Sequence, residues 1–495
     1  MSTNPSNGKP GQSIAARRMI PFAIAIALFM ENLDSTIINT AVPVIAQHLH
    51  TTPLNLSMAV SVYLLSLAIF IPMSGWMADK YGTRNIFAGA IALFTVASAL
   101  CGQSQSLAML IGARALQGMG GAMMMPVGRL IIGRSFAKSE LVAAMSYVTI
   151  PGLIGPMLGP LIGGAITTYA SWRWIFYVNL PMGIVGTWFA LTYVENMREP
   201  NVKRPDIVGF ILVGLGLAGL VLGIENIGRG VLPEGTEGAL FALSAASLFL
   251  YWRHFKRAAA PALDLRLLRI PTFRASVLGG TVSRIGFGAS PFLLPLLFQI
   301  GFGRTPLESG ALTFTGAIGA MIMKTGASRV VRRFGFRRLL IGNAMIVGTL
   351  GMSLGFFTAG TPWLVIIAVL TMTGFFRTLQ FTCMSALTYA DLEPGRMSNG
   401  TSIASVAQQI SMSLGVATGA TALHIATELS GGGAPTQAAF MPTLMFVGAI
   451  PIFAIYFFAQ LSPRAGEELS GYRRKTVEEA IENLGEPPQA ISQRR

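Results

Sequence analysis

Fourteen apolar runs divide this chain, each close to the roughly 20 residues that a helix needs to cross about 30 Å of hydrocarbon. They fall near 20–42, 56–77, 86–102, 106–132, 141–168, 174–194, 207–227 and 238–252, then near 275–300, 307–328, 339–358, 363–389, 398–426 and 439–460. Segments of that length and character read as membrane-spanning helices, because hydrocarbon offers no water to bond an exposed backbone. The rest of the composition agrees. Of 495 residues 52% are hydrophobic and only 12% charged, with a mean hydropathy of +0.59, whereas a soluble domain carries about a quarter charged residues.

A net charge of +15 would suggest nucleic acid in a soluble protein, so its placement decides the reading. The N-terminal stretch, every second connection and the C-terminal tail hold 28 of the 36 Lys and Arg residues; the opposite connections hold only Arg173, Arg229 and Arg304. By the positive-inside rule both termini are expected in the cytoplasm, and the basic excess reports topology. No nucleic-acid partner is expected. Arg17 and Arg18 before the first run mimic a signal peptide, but Glu31, Asn32 and Asp34 interrupt that run and no convincing cleavage site follows, so a retained first span is expected. Cys101 and Cys383 sit in apolar runs and His48, His50, His254 and His424 are scattered. Neither a disulfide framework, a metal site nor a cofactor is expected.

Residues 75–87, Gly-Trp-Met-Ala-Asp-Lys-Tyr-Gly-Thr-Arg-Asn-Ile-Phe, form a short charged turn between two apolar runs. A related turn, Arg333-Phe334-Gly335-Phe336-Arg337-Arg338, stands 253 residues later when Gly335 is laid on Gly82. Paired halves of this kind are the usual build of a secondary transporter. Six helices per half leave two spans over, which fit 207–227 and 238–252. The expected organisation is a cytoplasmic tail 1–18, a six-helix bundle 19–200, a linker with two extra spans 201–262, a second six-helix bundle 263–461 and a cytoplasmic tail 462–495. In that tail Thr476 to Glu479 has capping-box spacing, which predicts a short surface helix over 477–484.

Four groups inside the spans carry chemistry. Glu31 and Asp34 share a face of the first helix, where an unpaired charge costs roughly 2.5–3.5 kcal/mol. Asp34 reads either as a proton-binding carboxylate or as an acid neutralised by an Arg for folding, with Glu31 on the path to it. In the fourth span Arg114, Gln117 and Gly121 share a face; Arg114 pairs with Asp34 either in one protonation state or permanently. In the fifth, Gly155, Gly159 and Gly163 form a four-residue stripe while Pro156 and Pro160 remove backbone donors. That helix is a packing seam, a moving seam, or both. In the second half Arg284, Gln299, Phe375, Phe376, Arg377, Gln380, Phe381, Gln408 and Gln409 offer amides, aromatics and cations to a ligand cavity, and Met119, Met123, Met124 and Met125 offer adaptable apolar surface or ordinary packing.

The turn at 75–87 resembles the signature loop of the major facilitator superfamily, Arg114 to Gly121 its fourth-helix motif, and Gly152 to Gly164 its antiporter motif. Leu33 to Pro43 and Trp172 to Pro181 are similar to signatures of the fourteen-span drug:proton antiporters of EmrB/QacA type. The resemblance covers residues 18 to 460. It implies an all-α polytopic fold of two six-helix bundles with two linker helices, 14 spans in all, in a bacterial cytoplasmic membrane. It also implies alternating access driven by inward proton flow. It assigns proton coupling to Asp34, gating to Gly75, Asp79, Gly82 and Arg84, coupling to Arg114, and the antiporter hinge to Gly155, Pro156, Gly159, Gly163 and Gly164. The chain departs from the pattern where Arg332 stands opposite Asp79, and where Arg284 and Arg377 fall at membrane depth.

The expected function is therefore a non-enzymatic, proton-coupled exporter of small amphiphilic or toxic molecules. A dedicated exporter of an anionic or metal-chelating metabolite is the nearest alternative, and a channel or non-transporting sensor a more distant one. No nucleotide-binding P-loop is present, and a membrane potential supplies about 2.3 kcal/mol per charge per 100 mV. The expected partners are a small-molecule substrate, protons and the bilayer; the oligomeric state is left open, with a monomer admissible. The expected proton-coupling set is Asp34, Glu31 and Arg114. The expected cavity set is Gln117, Arg284, Gln299, Phe376, Arg377, Gln380 and Gln408. With Arg114, Arg284 and Arg377 set against Glu31 and Asp34, a positive cavity favouring neutral, zwitterionic or anionic cargo is expected.

Overall fold

The computed structural model describes residues 14–470 except 137–139, 201, 203, 230–232, 234, 259, 394 and 395. The helix expected over 477–484 lies outside them. The described residues hold fourteen long helices and no strand. They are α1 (Ile14–Ile37), α2 (Pro53–Tyr81), α3 (Thr83–Gly102), α4 (Leu107–Ser135), α5 (Leu141–Tyr169), α6 (Asn179–Tyr193), α7 (Ile207–Asn226), α8 (Thr236–Phe255), α9 (Gly280–Leu296), α10 (Pro306–Phe334), α11 (Phe336–Ser353), α12 (Trp363–Thr388), α13 (Met397–Leu429) and α14 (Gln437–Phe453). Eleven helical segments among the described residues are long and apolar enough to cross a membrane, so the chain is a multi-pass membrane protein. The helices α4, α8 and α10 are not in that set. Arg114, Arg129 and Arg134 dilute α4, Glu237 and Arg253 dilute α8, and Glu308, Lys324 and Arg329 dilute α10.

Local chemistry sets the helix ends. Thr52, Ser106 and Thr305 each accept a backbone N–H three residues on, and Pro53 and Pro306 occupy first helical positions where their missing donor costs nothing. Thr305 and Glu308 complete a reciprocal capping box. The two related turns fold alike: Gly82 ends α2 at φ +100° and Gly335 ends α10 at φ +69°, a backbone region that a side chain resists.

Helices α1–α6 pack among themselves, as do α9–α14, and α7 packs on α8 while lying against both α2 and α13. One face of the molecule holds the turns at Gly82 and Gly335 together with most of the basic residues; it is called the basic face here, and the other the outer face. At the outer face the two bundles share one apolar core, in which Ile37, Ile38, Trp172 and Phe176 join Phe292, Leu293, Phe298 and Phe440. Toward the basic face each bundle has a core of its own. The bundles are thus sealed at the outer end, and toward the basic end they are joined along the linker, where Leu65 and Ala68 of α2 share an apolar core with Val213 and Phe255 of the linker helices and Val406 and Ile410 of α13.

The linker is pinned at the basic face. Asp206 caps α7 by accepting from the Gly209 N–H at 2.8 Å, accepts from the Ala262 N–H at 3.1 Å, and lies 2.7 Å from His254 Nε2. Burial alone would raise this carboxyl, but those backbone and His254 hydrogen bonds outweigh it and hold it below its ordinary value. A depressed carboxylate adds stability above its ordinary pKa of about 3.9, and that stability is lost as pH falls through the lower folded value. Asp206→Ala is expected to speed amide exchange at Ala262 and Leu263 about fivefold at neutral pH, the factor carried by a cap worth about 1 kcal/mol. In the unmutated protein the same loosening sets in only below the ordinary carboxylate range. Exchange measured by mass spectrometry checks both.

Candidate functional site

Asp34 lies inside the first bundle, fully buried on α1, and three donors converge on it. Arg114 Nη1 from α4 bonds Oδ2, while Gln117 Nε2 and Asn179 Nδ2 each bond Oδ1 at 2.8 Å. The donors are themselves held. Arg114 Nη1 also donates to Gln117 Oε1 at 2.6 Å, its guanidinium lies 4.0 Å over the Tyr63 ring, and Ser98 Oγ accepts from both Gln117 and Asn179. Every polar neighbour of the carboxylate is therefore a donor. A proton on Asp34 would remove the charge that holds Arg114 and would need one of these donors to turn away or an amide to present its oxygen, and Asn179 Oδ1 is buried without a hydrogen-bond partner among the described residues. Arg114 Nη2 is buried without a hydrogen-bond partner among the described residues.

Glu31, one turn along α1 toward the basic face, is 8% exposed, and its Oε2 has no hydrogen-bond partner among the described residues. Tyr63 connects the two acids: its hydroxyl donates to the Glu31 carbonyl at 3.4 Å and its ring carries Arg114. Asn179 stands within a segment singled out in the sequence, yet no spacing rule links α6 to α1, and the amide's role emerges only when both helices are packed.

A cavity of about 570 Å³ opens between the bundles. Thr36 of α1, Asn39 and Thr40 of the turn that follows it, and Pro156 and Pro160 of α5 line one side; α9, α10 and α12 line the other, with Lys324 and Arg377 as its charged groups among several hydroxyls. Its lining contains no carboxylate. Neither Lys324 nor Arg377 has a hydrogen bond or ion pair among the described residues. Two cations without an acid partner on a mostly apolar wall form a positive site.

Arg377 is the single member of the expected cavity set found on this lining, and the others lie elsewhere. Gln117 is fully buried in the Asp34 network. Gln299 Nε2 donates across the outer seam to the Thr40 carbonyl at 2.9 Å. Arg284 is 4% exposed inside the second bundle, 5.4 Å from the Phe381 ring, and Gln380 is fully buried and accepts from Asn343 at 2.7 Å. Phe376 stacks edge-on against Phe375, and its carbonyl accepts from Asn343 at 2.9 Å. Gln408 is exposed and lies off this lining. Arg114 and Asp34 neutralise each other away from the cavity, so the charge balance expected from five residues is replaced by one set by Lys324 and Arg377. Lys324 carries no motif, and only the packing of α10 against α12 marks it.

At the basic face Asp79 pairs with Arg134 at 2.8 Å, and Arg134 also reaches Glu199 at 3.0 Å. Arg84 makes no ion pair among the described residues, and its Nε lacks a hydrogen-bond partner there. The reason is packing: α4 runs along α2 and brings Arg134 to Asp79, whereas Arg84 starts α3 beyond the turn. The segment after α6 braces that turn, with the Thr83 N–H donating to the Met197 carbonyl and the Glu199 N–H to the Asp79 carbonyl, both at 3.0 Å. Asn196 fills the space a side chain at Gly82 would need. Gly75 faces open space.

The α5 motif divides by face. A side chain at Gly155, Gly159 or Gly163 would meet α1 or the turn that ends it, at Leu33, Thr36, Ile37 or Thr40. One at Gly164 would meet Pro306 and Leu307 of the other bundle, where Gly310 in turn sits on the Pro160 carbonyl. One stripe thus packs the first bundle, while its neighbours make the outer seam. Gly159→Val is expected to destabilise the fold by about 1–3 kcal/mol through overpacking, read as a lower Tm in detergent. Gly164→Val is expected to leave Tm close to normal and to raise thiol labelling of a cysteine at Thr168 by opening the seam.

A family model for the Major Facilitator Superfamily matches residues 24–416. Relatives that carry the name multidrug resistance protein MdtD include one from Salmonella heidelberg, 38% identical over 462 residues, and one from Escherichia coli O6:H1, 39% identical over 460; each alignment covers 91% of this chain and 96% of the relative. Among solved structures, a bacterial homologue of the human lysosomal transporter Spinster superposes with a TM-score of 0.63 at 14% identity, over 91% of this chain and all of that one. The nucleoside transporter NupG superposes with a TM-score of 0.60 at 12% identity, over 90% and 100%. These two likenesses speak to fold.

Proposed function

The chain belongs to the Major Facilitator Superfamily, and we propose that it exports small amphiphilic molecules in exchange for protons by alternating access. In this reading it sits in a bacterial cytoplasmic membrane with the basic face and both termini in the cytoplasm, as the distribution of Lys and Arg favours. The outer seal is then periplasmic, and the state described is open to the cytoplasm. The name borne by the MdtD relatives supports efflux of more than one compound. A monomer holds every group the reading uses.

Asp34 is the coupling carboxylate. Its place at the centre of this network supports that assignment, because a proton there removes the charge that holds Arg114 and rearranges the bonds to Gln117 and Asn179, which tie α1, α4 and α6 together. Glu31, on the cytoplasmic side of Asp34 and beside Tyr63, is the relay by which the proton leaves. Arg134, Asp79 and Glu199 order the cytoplasmic end of the first bundle, against which the second bundle closes in the outward-open state. Helix α5 supplies the moving seam.

Lys324 and Arg377 set the cargo's charge. A cavity with two unpaired cations and no acid favours anionic or zwitterionic amphiphiles and repels lipophilic dications. A dedicated exporter of one anionic metabolite is the second reading favoured by this observation.

Asp34→Asn preserves shape and removes the titration. It is expected to insert normally and to lose uphill transport in proteoliposomes under an imposed pH gradient; unimpaired uphill transport would refute the coupling role. Arg377→Gln is expected to weaken binding of an anionic amphiphile about tenfold or more, as truncation of one buried charged partner costs about 2–5 kcal/mol, while leaving a neutral one little changed. Efflux from cells with and without the protein, screened over anionic, neutral and dicationic compounds of similar size, separates broad from dedicated export.

A further inference from the structure

The inserted helix α7 carries a second fully buried ion pair, far from Asp34. Glu225, with no exposed side-chain surface, pairs with Arg229 at 2.7 Å. Both look outward from the linker onto the seam where α2 of the first bundle meets α13 of the second. From α2, Ser57 Oγ donates to Glu225 Oε2 at 2.6 Å and Ser61 Oγ donates to Oε1 at 2.5 Å. Arg229 Nη1 donates back to Ser57 Oγ at 2.8 Å and to the Leu54 carbonyl at 2.9 Å. Its other arm crosses to α13, where Nη2 donates to Thr421 Oγ1 at 2.7 Å and to the Ala417 carbonyl at 3.3 Å. Thr421 returns a bond to the Ile224 carbonyl at 2.9 Å, and His424 Nε2 lies 2.7 Å from the Gly228 carbonyl.

One guanidinium therefore bridges the two bundles at the outer end, on the seam opposite the one made by α5 and α10. The outer face cannot open while both arms hold, because opening separates α2 from α13. We infer that Arg229 is a positioning residue that latches the outer gate, and that the extra helix α7 belongs to the gating machinery. This inference rests on the alternating-access reading above.

The latch has a weaker side. Toward α2 both members of the ion pair are engaged, and parting there would take from the buried Glu225 carboxylate both of its serine donors, which is costly for a charged acceptor. Toward α13 the partners are a neutral hydroxyl and carbonyls. Opening therefore breaks the bonds to Thr421, Ala417 and His424, and α7 travels with α2 and the first bundle. A guanidinium suits this task, since its fork reaches two helices at once and stays charged through the cycle.

The test uses the full-length protein in cells, with Cys101 and Cys383 replaced by alanine and a reporter cysteine at Asn39, on the cavity lining at the outer end of α1. Labelling by a membrane-impermeant maleimide from outside reads outward opening. Thr421→Val, which keeps the shape and removes one charge-assisted hydrogen bond, is expected to raise the labelling rate about tenfold. The paired variant Glu225→Gln with Arg229→Gln leaves no stranded charge and is expected to do the same. Cross-linking Ile224→Cys to Thr421→Cys is expected to stop transport, with recovery on reduction, while cross-linking Ile69→Cys to Gly214→Cys, between α2 and α7, leaves transport running. If the unmutated protein never changes its labelling during transport, the alternating-access reading fails. If it does, and labelling in Thr421→Val and in the paired variant stays at its level, the latch is overturned; so it is if the Ile224 to Thr421 cross-link leaves transport running.

Discussion

A charge in hydrocarbon must find a partner, and how this chain meets that demand differs between its halves. The first bundle neutralises Asp34 against Arg114, and the inserted linker neutralises Glu225 against Arg229, each within a set of side-chain donors that has no slack. The second bundle has no acid for Arg284, Arg377 or Lys324 among the described residues. Two of these line the cavity. The molecule thus divides into a half whose charges hold helices together and a half whose charges await something from outside.

That division matches the motions an exporter needs. The outer end is closed by two seams of different character. Between α5 and α10, glycine lets backbones meet with nothing between them, at Gly164 on Pro306 and at Gly310 on Pro160; such contacts are lost completely once the helices separate by a small distance. Between α2 and α13, hydrogen bonds from Arg229 and from Ser413 Oγ to the Ser61 carbonyl at 2.9 Å hold the faces together. The first seam rests on close backbone contact with one hydrogen bond, from the Leu307 N–H to Thr168 Oγ1 at 3.1 Å, and the second on a larger set of polar contacts that can re-form. In the proposed cycle, protonation at Asp34 acts inside the first bundle, behind α1, which is the helix that the α5 glycine stripe packs against. A change in how α1 sits is therefore passed to the helix that makes the close-contact seam.

Much of this was open to reading from the residues. The turn at Gly82 and its partner at Gly335 were marked by glycine and charge and fold as equivalent turns, because only glycine takes that backbone without strain. The pairing of Arg114 with Asp34 could be posed from cost alone, since each is too expensive to bury by itself. Arg134 escaped notice because a basic residue at a helix end is explained by topology before any ion pair is considered. Lys324 and Asn179 escaped because each lies on a helix far in sequence from what it faces. Arg284 and Gln380 were assigned to the cavity by residue type, and the packing of α9 on α13 and α14 and of α12 on α11 placed them inside the second bundle.

The linear order of residues determined the membrane-spanning class, the pseudo-repeat and the list of costly charges, because each follows from local hydropathy or from a tally that needs no neighbour. Which charges cancel and which remain free was decided only by tertiary structure. A side chain's partner depends on helix rotation and crossing, and these are set by close packing at glycines and prolines hundreds of residues apart. That is why Glu225, which no sequence motif marks, and Arg229, which the sequence shows only as a loop charge, come to stand on the seam between the two bundles.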